Sequence, residues 1–97
     1  MFAVTRLRVS EADADGFAGA VDVLLAALAA RPGFRDGELG RCTDDDGLWA
    51  LVTRWDGVGA YRRALSAAEV KLAGAPVWVH ALDEPGAYVS GDQPLEG

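Results

Sequence analysis

The sequence has few of the residue types from which disulfides and metal sites are built. It contains one cysteine, Cys42, and one histidine, His80, among 97 residues. One cysteine excludes an intrachain disulfide, and one histidine excludes metal sites that need several histidines. Cys42 is therefore interpreted as a small apolar residue of a strand. His80 is interpreted as a structural or surface residue, with a catalytic base as the alternative.

Basic charge is also scarce. Nine Lys and Arg residues stand against fifteen Asp and Glu, the net charge is −6, and the basic residues are scattered along the chain. A protein that binds a phosphate backbone needs a basic stripe that releases counterions. Nucleic acid and anionic membranes are therefore excluded as partners, and the acidic excess is interpreted as an aid to solubility.

Long apolar runs and phosphate-binding loops are missing as well. The most apolar segment, residues 21–30, is too short to span a bilayer, and the N-terminus lacks the apolar stretch of a signal peptide. We therefore expect a cytoplasmic protein. Gly57 and Gly59 lack the third glycine of a dinucleotide fingerprint, so no nicotinamide or flavin is expected. The acidic residues 44–46 predict a solvated turn, because a hard cation needs spaced oxygens.

The sequence does contain alternating strand and helix signals, in a chain of the length of one domain. β-Forming residues predict four strands, over residues 2–9, 34–42, 48–55 and 86–90. A stripe at helical spacing predicts a first helix with five apolar positions: Phe17, Val21, Leu24, Leu25 and Leu28. Arg31-Pro32-Gly33 ends this helix, because proline cannot continue it and glycine frees the backbone to turn.

The second half predicts further helix. Asp56 is expected to cap a helix that runs to about Leu65. Ser66 and Glu69 have the spacing of a capping box, which predicts a further helical turn through about Ala73. Residues 76–82 fit either helix or extended chain.

This order of elements predicts an α+β, ferredoxin-like βαββαβ fold with a four-stranded antiparallel sheet and helices on one face. Residues 1–90 form the domain in this prediction, and residues 91–97 form a polar C-terminal tail. The strand over residues 48–55 is apolar on both faces, whereas a sheet with one wet face should alternate apolar and polar residues. Because the helices cover one face only, we expect a homodimer packed sheet to sheet.

Four short stretches lie in a recognisable order: RPGF at 31–34, LVTRW at 51–55, YRRAL at 61–65 and LDEP at 82–85. Together they resemble the antibiotic biosynthesis monooxygenase family of dimeric α/β-barrel proteins, from Phe2 to about Val89. The resemblance implies a cofactor-independent monooxygenase that acts on an aromatic, polyketide-like small molecule, with neither a metal nor an organic cofactor. It implies the dimeric α/β barrel as well.

The resemblance also implies pocket residues. Trp55 and Tyr61 match a tryptophan and a tyrosine that line the substrate pocket of the family's oxygenases, and Arg6 matches a position that faces it. Leu51 occupies the position of an asparagine, a residue type that this chain lacks, and Arg41 that of a histidine. Trp78 and His80 complete the set of candidates. Arg6 is interpreted as a barrel-edge or dimer-contact residue, and the alternative is that it faces the pocket and pairs with an anionic substrate oxygen.

Other functions on the same scaffold stay open. The haem-degrading branch is disfavoured, because Arg6, Ala64 and Gly74 stand where it has an asparagine, a tryptophan and a histidine, and iron would lack its axial ligand. A non-catalytic dimer that binds a small hydrophobic molecule is one alternative. An isomerase or cyclase is the other, and it would need His80 or a carboxylate in the pocket.

Overall fold

The computed structural model describes residues 1–92 and confirms the predicted α+β, ferredoxin-like fold. A short 3₁₀ turn over Glu11–Asp13 precedes the first helix. The strands and helices, in chain order, are β1 Phe2–Arg8, α1 Ala14–Ala29, β2 Phe34–Arg41, β3 Leu48–Trp55, α2 Val58–Ser66, α3 Ala68–Trp78 and β4 Ala87–Tyr88.

The four strands form one antiparallel sheet in the order β2-β3-β1-β4. Val4 lies opposite Val52 at the centre of the β1–β3 pair. β4 is shorter than predicted and pairs only with the start of β1. The predicted tail, residues 91–97, extends outside the described residues after Asp92. No helix within residues 1–92 has both the length and the apolar character that crossing a bilayer requires.

The core lies between the sheet and the helices. Four of the five positions of the predicted α1 stripe are buried, and Leu25 is half-buried. These side chains pack on the face of the sheet that carries Ala3, Leu7, Leu51 and Trp55, all nearly inaccessible to solvent. Because side chains alternate along a strand, the neighbours of these residues point to the opposite face. No helix within residues 1–92 covers that face.

Two glycines allow the close approaches on which this packing depends. Gly33 has φ of +88°, and a Cβ there would lie 2.5 Å from the Cβ of Ala60 in α2. Gly37 in β2 leaves room for Leu25, whose Cδ2 would lie 2.9 Å from an added Cβ. Gly33 therefore lets α2, and Gly37 lets α1, pack closely against the chain at and around β2.

The predicted helix caps are wrong, although the helices exist. Gly57 is the N-cap of α2, and Asp56 instead accepts a hydrogen bond of 2.7 Å from Arg35 Nε. The Ser66 hydroxyl donates to the carbonyl of Arg62, so the expected capping box does not form. α3 runs beyond the predicted end to Trp78 and contains Pro76. Packing of α3 against α1 outweighs the missing proline N–H in this last turn.

Gly33→Ala tests the close approach at the start of β2. We expect the free energy of unfolding to fall by about 1–3 kcal/mol, because alanine is strained at positive φ and its Cβ would meet Ala60. Gly19→Ala is the matched control: Gly19 lies in α1 with nothing within 4 Å of an added Cβ, so this change should stabilise by about 0.5–1 kcal/mol. Urea denaturation measures both. Equal stabilities of Gly33→Ala and wild type would contradict the assignment.

Candidate functional site

A cavity of about 350 Å³ opens between the helix-covered face of the sheet and helices α2 and α3. Its lining residues are Thr5, Tyr61, Leu65, Lys71 and Trp78. This volume lies at the lower end of the range typical of small-molecule sites. The wall is mainly apolar, and the polar groups of its side chains include two hydroxyls and one ammonium.

The local structure explains why these five side chains meet. Thr5 lies between Ala3 and Leu7 on the helix-facing side of β1. Tyr61 and Leu65 are one helical turn apart on α2, and Lys71 and Trp78 are two turns apart on α3, so each pair shares a helix face. Two helices and one strand therefore contribute to a single cavity.

Trp55 lies behind Tyr61 and is only 1% exposed. Its ring packs edge-on against Tyr61, with centroids 5.7 Å apart, and against Phe34 at 5.2 Å. The indole Nε1 donates a buried hydrogen bond of 2.9 Å to Thr53 Oγ1. Because this N–H already has an acceptor, Trp55 supports Tyr61 from behind and has no spare donor for a ligand.

Tyr61 is half-buried and contributes one of the two hydroxyl groups of the cavity. Burial raises the pKa of its phenol, so the group stays protonated at neutral pH. The structure shows no hydrogen bond from this hydroxyl to any described residue. Tyr61 is therefore a neutral donor available to a ligand oxygen.

Trp78 reaches the cavity because Gly74 leaves space for it. An added Cβ at Gly74 would lie 2.9 Å from Cδ1 and 3.0 Å from Cε2 of the Trp78 indole. Gly74 itself is buried on α3, four residues before Trp78. The indole thus lies across the preceding turn of its own helix and lines the cavity at the same time.

Three of the residues predicted for the pocket lie elsewhere. Leu51 is 3% exposed in the core. Arg6 points to the opposite face of the sheet, where Nε and Nη2 donate bonds of 2.6 and 2.8 Å to the carboxylate of Glu84. This hydrogen-bonded pair raises the pKa of Arg6 and lowers the pKa of Glu84. His80 lines a second cavity of about 320 Å³ with Asp13, where it packs edge-on against Phe17.

The structure therefore brings Tyr61 and Trp78 together, whereas Trp55 lies behind Tyr61 and does not line the cavity. Arg41, at the position of the family's histidine, stacks over Trp49 with 4.6 Å from Cζ to the ring centroid, outside this cavity. Sequence reasoning missed Lys71. The seven-residue spacing between Lys71 and Trp78 could have indicated that the two share a helix face. This becomes visible only when α3 is extended through Pro76.

No three His, Cys, Asp or Glu side chains within residues 1–92 come together as a potential metal site. The acidic turn predicted for residues 44–46 is used differently. Asp45 pairs with Arg8 at 2.9 Å and accepts a hydrogen bond from the N–H of Gly47. The bond from Arg8 is the main cause of the lowered pKa of Asp45.

Comparison with known proteins identifies the family. The sequence model of the family described as antibiotic biosynthesis monooxygenase matches residues 1–75, most of the chain. The chain belongs to this family. No curated protein sequence matches it.

Solved structures agree with this antibiotic biosynthesis monooxygenase assignment. SnoaB, a cofactor-independent oxygenase from Streptomyces nogalater, is similar with a TM-score of 0.81 and 25% identity, over 98% of this chain and 96% of that chain. A candidate antibiotic biosynthesis monooxygenase from Caulobacter crescentus has a TM-score of 0.74 and 24% identity, over 87% of this chain and 80% of that chain. Rv0793 from Mycobacterium tuberculosis has a TM-score of 0.75 and 18% identity, over 95% of each chain. The last two show the fold alone.

The protonated state of Tyr61 in this family member is tested by a tyrosinate absorbance titration. The chain has two tyrosines, so Tyr88→Phe leaves Tyr61 as the sole phenol. We expect a midpoint above the ordinary 10.0 in the folded protein and an ordinary midpoint in denaturant. Because the unfolded chain ionises first, stability should fall as the pH rises past the unfolded pKa. A folded midpoint at or below the denatured one would contradict the assignment.

Proposed function

We propose that the chain is a cofactor-independent monooxygenase that acts on an aromatic phenol of the polyketide type and works as a homodimer. The observation that carries the proposal is the apolar cavity lined by the half-buried, protonated Tyr61, in a member of the antibiotic biosynthesis monooxygenase family. The likeness to SnoaB, an oxygenase that is itself cofactor-independent, supports it.

The proposed reaction needs molecular oxygen and no further reductant. A phenol that carries hydrogen on the carbon para to its hydroxyl group is oxidised to a quinone. The ring supplies the electrons, a C–O bond forms at the para carbon, and the O–O bond then breaks. One oxygen atom becomes the new carbonyl, and the other leaves as water with the two hydrogens that the phenol loses.

The cavity residues have defined parts in this chemistry. Leu65 and Trp78 contact the ring and exclude water, which strengthens electrostatic interactions in the cavity. Tyr61 donates a hydrogen bond to the oxygen on which negative charge develops, and Thr5 offers a second hydroxyl. Trp55 keeps the Tyr61 ring in place by edge-on packing.

Oxygen uptake with a panel of para-unsubstituted polycyclic phenols, such as 1-naphthol, tests the activity. We expect one O₂ consumed per quinone formed, and a rate lowered by about 10²-fold in Tyr61→Phe, because one oxyanion donor is lost. Tyr88→Phe is the matched control, since its hydroxyl donates to the carbonyl of Pro85 on the far side of the sheet. No enzyme-dependent uptake across the panel, or equal rates for Tyr61→Phe and wild type, would refute the activity.

A non-catalytic dimer that binds a hydrophobic molecule is the second candidate. Leu51 is buried at the position to which the family resemblance assigns an asparagine. This residue favours the non-catalytic dimer, because leucine supplies no hydrogen bond to a reacting oxygen. Binding of the phenols without oxygen uptake would support this candidate over the oxygenase. The isomerase or cyclase has less support, because His80 and Asp13 line a separate cavity and neither His80 nor a carboxylate lines the cavity of Tyr61.

The uncovered face of the sheet supports the dimer. Its centre is apolar, with Val4 opposite Val52 and half-buried Ala50 beside them. Phe2 stacks on Tyr88 with centroids 5.5 Å apart, and these two rings are 38% and 45% exposed. Ion pairs such as Arg54–Asp36 lie around this apolar centre. A second copy of the same face would bury it.

Val52→Lys tests the dimer. Val52 lies opposite Glu38 in the β2–β3 pair, so a lysine there has a partner within its own chain and the subunit should still fold. In the dimer the same change would bury charge in an apolar interface. We expect wild type to sediment as two chains and Val52→Lys as one. Val23→Lys, at a valine that is 61% exposed on α1, should stay dimeric. A monomeric wild type would refute the dimer.

A further inference from the structure

We infer that Lys71 is the anion-binding group of the Tyr61 cavity, and that the cavity takes an aromatic molecule with an anionic oxygen. The inference rests on the proposed function only in that an aromatic ring occupies the cavity. It names a residue that sequence reasoning did not select, and it narrows the class of ligand.

The charge around the cavity is the first argument. Among the five lining residues, Lys71 is the only charged one, and none is acidic. Lys71 is also the only lysine of a chain whose net charge is −6. A single cation beside an apolar wall, in an otherwise acidic protein, creates a local site that favours a negative group.

The pairing of the other basic residues is the second argument. Five of the eight arginines form ion pairs with carboxylates within the described residues: Arg6, Arg8, Arg31, Arg35 and Arg54. The other three, Arg41, Arg62 and Arg63, do not line the cavity. No described carboxylate pairs with Lys71, and its neighbour Glu69 pairs with Arg31 at 3.6 Å. The Lys71 ammonium thus needs no internal ion pair to be broken before it binds a ligand.

The placement of Lys71 on α3 is the third argument. Its side chain is exposed yet lines the cavity, so it lies at the mouth. Trp78 lies two turns further along the same face of α3, and Tyr61 contributes from α2. A flat ring that enters between Tyr61 and Trp78 can therefore keep an anionic oxygen at the mouth beside the ammonium. There the anion stays partly solvated while the ring loses its water.

The chemistry of lysine restricts the ligand to an anionic oxygen. An ammonium is a compact point charge with three donors, and it binds one oxygen without the forked geometry that arginine offers to a carboxylate. A phenolate and a carboxylate both meet this requirement. The two are separated by matched pairs of probes, in which each anion is compared with its neutral methyl derivative.

Binding is measured at neutral pH by quenching of tryptophan fluorescence. The first pair is 4-nitro-1-naphthol, an acidic phenol blocked at its para carbon, and its methyl ether. The second pair is 1-naphthoate and its methyl ester. We expect one anion, or both, to bind about tenfold more tightly than its neutral partner, the effect of one charge-assisted hydrogen bond. The pair that shows the difference identifies the phenolate or the carboxylate.

Variants assign the preference to Lys71. Lys71→Gln should remove the preference for the anion, and Lys71→Arg should keep it because the charge remains. The control Arg62→Gln should also keep the preference, because Arg62 is exposed on α2 outside the cavity lining. A wild type that prefers neither anion, or a preference that survives in Lys71→Gln, would overturn the inference.

This experiment is independent of oxygen chemistry. Lysine-dependent anion binding without oxygen uptake would support the inference and refute the oxygenase. Oxygen uptake with no anion preference would do the reverse.

Discussion

The burial of Trp55 is the interaction on which the rest of the structure depends. Its indole closes β3, packs on Phe34 at the start of β2 and supports Tyr61 in α2. The Thr53 hydroxyl accepts its only polar hydrogen, so a large aromatic group is buried without an unsatisfied donor. The same ring therefore joins three elements of the fold and forms the rear support of the cavity.

The sequence was sufficient for the elements whose apolar spacing is long and regular. The apolar stripe of α1 lies within the observed helix, and β3 was predicted at its observed bounds, because a long apolar pattern decides both. The caps could not be predicted, since Asp56 binds Arg35, which lies 21 residues away in the sequence on the neighbouring strand β2 and gives no local signal. α3 was predicted only through about Ala73, and residues 76–82 were left open between helix and extended chain. Its extension past Pro76 depends on packing against α1 rather than on local propensity.

The same limit explains what was missing from the predicted site. Tyr61 and Trp55 could be named because the family resemblance places pocket residues at their positions, and Trp78 was added as a further aromatic candidate. Lys71 belonged to a helix that was predicted only through about Ala73, so its shared face with Trp78 was hidden. Arg6 was named as a candidate residue of the pocket. In the chain its alternation with Leu7 places it on the opposite face of the sheet, where Glu84 binds it at both carboxylate oxygens.

Different positions of helix α3 contact the core and the cavity. Val70, Gly74 and Val77 are buried, whereas Lys71 and Trp78 line the cavity. Because different positions serve stability and recognition, mutation can alter the ligand without weakening the core. Leu65 and Lys71 are open to such change, while Trp78 is tied to the glycine beneath it. Residues at the entrance of the cavity can thus be substituted, whereas residues at its back are constrained by packing. Related chains can therefore differ in substrate while they keep the same fold.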